Sequence, residues 1–199
     1  PMGLIVPRNI RLGSLFPEDL NLNGDQSILL VLKNRLVLRR VNSLVVDIPL
    51  NKIDDVDFLF LGHGSIAAWE FISRSEPRLF AQLSSFVESG KPLFAVSSGA
   101  LKVLSELGKN YEEGDHVSEF ATAQDDIVGY LNSPSKAPLI QKLYSSWFTM
   151  LHGPILAKNP DLADKICFEL GWFKKVPRSP EASRLDELSS ISRKTAFEH

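Results

Sequence analysis

Two turns in this 199-residue chain hold the side chains best placed to do chemistry. Ser97-Ser98-Gly99 closes the apolar run Pro92-Leu93-Phe94-Ala95-Val96, and Ala100 to Leu107 then reads as helix. A serine at the apex of a strand-to-helix turn has the geometry of a nucleophile elbow, with backbone amides at the helix start able to hold an oxyanion. The esterase form of that motif needs glycine at position 95, where Ala95 stands, so the same residues also fit a serine-rich helix N-cap. The second turn, Gly62-His63-Gly64, follows Asp57-Phe58-Leu59-Phe60-Leu61 and offers His63 as a base or as a turn residue. His152, in Met150-Leu151-His152-Gly153-Pro154, is a base candidate at the end of an apolar strand, or a structural turn residue. His116 falls in a charged loop and His199 is terminal. Cys167 shares a helical stripe with Leu162, Ile166 and Leu170, which predicts an inert core thiol.

These turns need strands to carry them. Asn9 to Phe16 reads as a first strand stopped at Pro17, and Asp25 to Arg35 as a helix, with Asp25 near its cap. Ser43 to Ile48 is β-rich, residues 57–61 and 92–96 are continuous apolar runs, and Glu76 to Glu88 is amphipathic through Leu79, Phe80, Leu83 and Phe86. The order β-α-β-β-α-β-α with unbroken apolar strands predicts an α/β fold, a largely parallel sheet with helices on both faces. Such sheets bind ligands beyond the carboxyl ends of their strands, where both turns lie. Ile127 to Leu131 and Tyr144 to Leu151 read as shorter β pieces, and Asn159-Pro160-Asp161 opens a helix. After Pro177 the composition turns polar. The expected division is a domain over 9–175 and a polar tail over 176–199, in which Leu185 to Phe197 forms a short helix only against a partner.

Composition narrows the classes. Lysine and arginine number 22 against 24 acidic residues, a net charge of −2 without a basic stripe, which argues against nucleic acid as a partner. No apolar run approaches the roughly 20 residues of a membrane helix, so no membrane insertion is expected. One cysteine excludes an intramolecular disulfide and a cysteine-based zinc cluster, and a cytoplasmic setting with no metal site is the expectation. Pro1 before Met2 looks like a cloning remnant, and nothing after it reads as a signal peptide.

The run Leu151-His152-Gly153-Pro154-Ile155-Leu156-Ala157-Lys158-Asn159-Pro160-Asp161-Leu162-Ala163-Asp164 resembles the signature of cobyric-acid-synthase-type glutamine amidotransferases (class I, triad family). Within that family the similarity is to the glutaminase subunit of lipid II isoglutaminyl synthase. Other segments match in order: Asp19-Leu20-Asn21-Leu22 with Gly24-Asp25; Phe58 to Ser65; and Ile127-Val128-Gly129-Tyr130-Leu131-Asn132, with Lys136 near a basic family position. The resemblance spans about residues 9 to 173 and implies a flavodoxin-like class I amidotransferase fold. It also implies a Mur-ligase-like partner that carries the ATP and magnesium, no cofactor on this chain, and a glutamine pocket drawing on Gly62, His63, Gly64, Ser98 and Lys136. In the family a cysteine thiolate attacks the glutamine amide, a histidine activates it, and the ammonia passes to the ligase.

His152 stands at the family histidine, but the cysteine position is Ser97. The elbow that usually reads Cys-Gly-Gly-Tyr-Gln reads Ser97-Ser98-Gly99-Ala100-Leu101, and Ser65-Ile66-Ala67 replaces a polar run containing aspartate. Residues 112 to 140 are also shorter than usual. A hydroxyl is a far weaker nucleophile than a thiol. Three expectations follow: a non-catalytic amidotransferase-like subunit of a peptidoglycan-amidating complex, a working glutaminase subunit that tolerates serine, or a different hydrolase built from Ser97 and His152.

Overall fold

Four successive apolar residues cannot alternate between core and water, and the runs Phe58–Leu61 (β3) and Leu93–Val96 (β4) are accordingly buried on both faces. Leu59, Leu61, Leu93 and Ala95 pack into one apolar layer, and Phe58, Phe60, Phe94 and Val96 into the other. The computed structural model describes residues 9–172 and 179–197; His199, Pro1 and Met2 lie outside them.

The main sheet also contains β1 (Ile10–Leu15), β2 (Ser43–Asp47), β7 (Ile140–Leu143) and β8 (Ser146–Thr149), in the order β2-β1-β3-β4-β8-β7. All neighbours are parallel except the β7–β8 hairpin at the edge. The parallel part has the flavodoxin-like 2-1-3-4-5 order, with its switch point beside β1 and β3. Helix α1 (Ser27–Leu38) packs on one face with α5 (Ile155–Lys158) and α6 (Pro160–Glu169). The other face is covered by α2 (Ile66–Ser75), α3 (Leu79–Glu88) and α4 (Ser98–Glu106). The α/β architecture expected from the sequence is the one found.

Several local expectations need correction. Helix α2 was absent from the pattern because its apolar residues do not share a face: Trp69 and Ile72 are buried, while Ile66 and Phe71 are 81% and 64% exposed. His116 is not in a loop; it lies on β5 (Glu113–Thr122), a long strand paired antiparallel with β6 (Val128–Ser135), and its Nε2 meets Asn132 Oδ1 at 2.8 Å. The stretch from Tyr144 to Leu151 is not one strand. Tyr144 turns the β7–β8 hairpin at φ 52°, and β9 (Leu151–His152) leaves the main sheet to pair with β6. Asp25 is not the cap of α1, whose N-cap is Gln26. The polar C-terminal segment carries α7 (Pro180–Ala196), capped by Ser179 and resting on α1 and α5. Arg35 of α1 reaches Asp186 of α7 at 2.5 Å and Asp164 of α6 at 2.8 Å. No helix among the described residues is long and apolar enough to cross a membrane.

Candidate active site

Ser97 ends β4 and starts α4 with φ 48° and ψ −114°, a conformation an L-residue holds only under constraint and at a cost of about 1–3 kcal/mol. Two backbone bonds impose it. The Ser97 amide donates to Thr149 O at 2.7 Å, and the Ser97 carbonyl accepts from the Leu101 amide at 2.9 Å. Gly99 lets the elbow sit close to β3, since a Cβ there would lie 2.5 Å from Gly62 O. The strand-turn-helix geometry of a nucleophile elbow is therefore present, with a hydroxyl at its apex.

His152 arrives from the second sheet, its backbone paired with Tyr130 of β6. Its side chain is 1% exposed. Nδ1 lies 2.9 Å from Asn23 Nδ2 and 3.7 Å from Asp25 Oδ2, and the Gly153 amide donates to Asp25 Oδ1 at 3.3 Å. Asp25 is fully buried. Its Oδ2 and His152 Nε2 have no hydrogen-bond partner among the described residues. The Asn23 side-chain amide donates to Nδ1, so the neutral imidazole carries its proton on Nε2, where it can donate to a neighbouring group. The sequence alone placed Asp25 near a helix cap and in a family-like loop. Its burial and its bond to Gly153 make it part of the site.

His63 packs edge-on against His152, ring centroids 4.7 Å apart. Its Nδ1 lies 2.8 Å from Ser98 Oγ and 3.4 Å from the Ser98 amide. Ser98 Oγ also accepts N–H bonds from Trp69 Nε1 at 2.7 Å and Gly64 at 3.2 Å. With both lone pairs taken, the hydroxyl donates, its nearest acceptor is His63 Nδ1, and the His63 proton belongs on Nε2. Burial, and then the nearby His152, hold His63 below the usual histidine pKa, with Asp25 acting weakly in the opposite direction.

An elbow holds an oxyanion with the amide after the nucleophile and one from a neighbouring strand-end loop, here Ser98 and Gly64. The chain's own side chains already take both: the Ser98 amide faces His63 Nδ1, and the Gly64 amide donates to Ser98 Oγ. Of the residues singled out from the sequence, Gly62, His63, Gly64, Ser97, Ser98 and His152 come together at the carboxyl ends of β3 and β4. Lys136 instead extends from β6's end, its ammonium 3.4 Å from Glu112, and is 60% exposed. Cys167 is fully buried on α6, and burial followed by Asp164 pushes its thiol up to about 12. No group of three or more histidine, cysteine, aspartate or glutamate side chains among the described residues is arranged to hold a metal ion.

No protein-family model and no curated protein matches the sequence. Solved structures with a similar chain path include a glutamine amidotransferase from Thermotoga maritima (12% identity, 95% of this chain and 94% of that one, TM-score 0.48). Another glutamine amidotransferase, from Methylobacillus flagellatus, is 12% identical over 96% of this chain and 94% of its own, with TM-score 0.45. Drosophila melanogaster DJ-1beta is 12% identical over 90% and 97%, with TM-score 0.46.

Proposed function

We propose that this chain is a glutamine amidotransferase-like subunit that works beside a Mur-ligase-like partner in lipid II amidation without hydrolysing glutamine itself. The observation carrying the reading is the elbow. It keeps the constrained backbone of a nucleophile site at Ser97, yet offers a hydroxyl, and side chains of the same chain occupy the amides of Ser98 and Gly64. The run from His152 to Asp161 supports the family side of the reading and has packing work of its own. Asn159 clamps β6 through bonds to both the amide and carbonyl of Val128, at 2.9 and 2.7 Å. ATP and magnesium belong, in this reading, to the partner.

The decisive experiment purifies the chain from its native cell with whatever accompanies it, identifies the companion by mass spectrometry and assays ammonia release from glutamine. A Mur-ligase-like companion without glutamine-dependent ammonia is the expected result. Ammonia release lost in Ser97→Ala overturns the inactive reading in favour of a serine-dependent glutaminase. The constrained hydroxyl at the apex of the elbow favours a second reading, a different hydrolase built from Ser97 and His152. Covalent labelling of Ser97 by a fluorophosphonate would establish it, and an unlabelled Ser97 would remove it.

A further inference from the structure

Beside the elbow, between α2 and α4, opens a cleft of about 550 Å³ that does not include Ser97 or His152. Trp69 forms part of its lining, with its indole N–H fixed by Ser98 Oγ. Ile66, 81% exposed, adds apolar surface. Lys102 lies one helical turn beyond Ser98 on α4, with its ammonium 5.4 Å from the Trp69 ring centre and 5.6 Å from that of Phe80. It makes no hydrogen bond or ion pair with any described residue. The other cleft charges are Arg74 and Glu70, which pair with each other at 3.6 Å, and His63. The lining therefore carries one net positive charge at neutral pH, held against an aromatic wall.

We propose that this cleft binds a small organic carboxylate with an apolar body, its anionic end on Lys102 and its body against Trp69 and Ile66. A lysine that faces only aromatic rings retains three N–H donors for an anion, and a charge-assisted bond formed beside an apolar wall is stronger than one in open water. Ser73 supplies a further polar group to the lining. The cleft shares His63, Gly64 and Ser98 with the elbow, but the inference uses neither Ser97 chemistry nor a partner.

The test titrates phenylacetate, and its uncharged counterpart phenylacetamide, into the full ¹⁵N-labelled chain at about pH 8, well above the ordinary histidine pKa. Expected are amide shifts confined to residues 63–74 and 98–102. Phenylacetamide should bind about tenfold more weakly, the worth of one charge-assisted contact. Lys102→Met should weaken phenylacetate by a similar factor, Lys102→Arg should restore it, and Lys109→Met should leave it unchanged. Equal binding of the two probes, shifts mapping elsewhere, no binding at all, or a Lys102→Met variant that is folded and binds normally would each overturn the proposal. The dispersion of each variant's amide spectrum separates lost binding from lost folding.

Discussion

Ser98 Oγ stands 2.8 Å from His63 Nδ1, and that contact joins the start of α4 to the turn that closes β3. The same oxygen takes the Trp69 indole N–H and the Gly64 amide, so a single hydroxyl anchors α2, the glycine turn and the elbow. Ser98→Ala leaves these donors without their acceptor. A loss of about 1–3 kcal/mol is expected, readable as a lower urea midpoint at unchanged slope.

Ser97→Cys tests whether the elbow still activates a nucleophile. Its thiol sits at the N-terminal end of α4, where an anion is favoured, whereas Cys167 is buried with its thiol near 12. Iodoacetamide at neutral pH is expected to label position 97 of the variant within minutes and to leave Cys167 untouched in the native protein, as read by peptide mass spectrometry. A native Cys167 that reacts as fast as position 97 contradicts the assignment.

Stability should fall on mild acidification. The folded protein binds a proton at His63 less readily than the unfolded chain does, because burial and His152 disfavour the cation. The neutral ring therefore favours folding above the unfolded pKa of about 6.5, and that contribution is lost as pH falls through the lower folded value. His63→Asn preserves an acceptor for Ser98 without a titration in this range. Its unfolding free energy should depend less on pH between about 7 and 5 than that of the wild type.

Arg35 has a 10%-exposed side chain shared between Asp164 and Asp186, and Arg39 adds a second contact to Asp164 at 3.1 Å. Arg35→Ala removes the cation that two little-exposed carboxylates share, at a cost of about 3 kcal/mol. Chemical denaturation measures the cost. Limited proteolysis locates it, with cleavage around α7 expected to appear before cleavage in the sheet.

Gly62 has no room for a methyl group: a Cβ there would lie 1.9 Å from Leu20 O, a backbone atom that cannot swing aside. Gly62→Ala is expected to cost more than about 4 kcal/mol, or to prevent soluble expression. Gly24→Ala serves as a comparison. There the added group meets nothing within 4 Å, and only the positive φ of 69° is unfavourable.

The parallel sheet was legible because Phe58–Leu61 and Leu93–Val96 are apolar at every position, a pattern that burial on both faces requires. Ser97, Ser98, His63 and His152 were legible because each ends or follows such a run. What escaped has physical reasons. The polar residues of β5 lie in a ribbon largely exposed to water, so no alternation marks them as a strand. Asp25 looked like a cap because an acidic residue just before a helix usually is one; here its carboxylate turns to Gly153, 128 residues away, a pairing no local pattern encodes. The role of Asn23 was hidden for the same reason, since its contact is with His152.

The chain passes from one sheet to the other at a single residue. Thr149 closes β8 and accepts the Ser97 amide, Met150 is buried, and β9 begins at Leu151 with His152 next. Nucleophile position and base thus ride on separate platforms joined by a one-residue link, steadied by Thr149 Oγ1, which donates to Leu139 O and accepts from the Leu151 amide. A small tilt of the β5–β6 ribbon would swing His152 relative to Ser97 as a lever turns about its fulcrum. Alignment of the pair is a property of that joint, so the fold can survive changes that put the two side chains out of reach of each other.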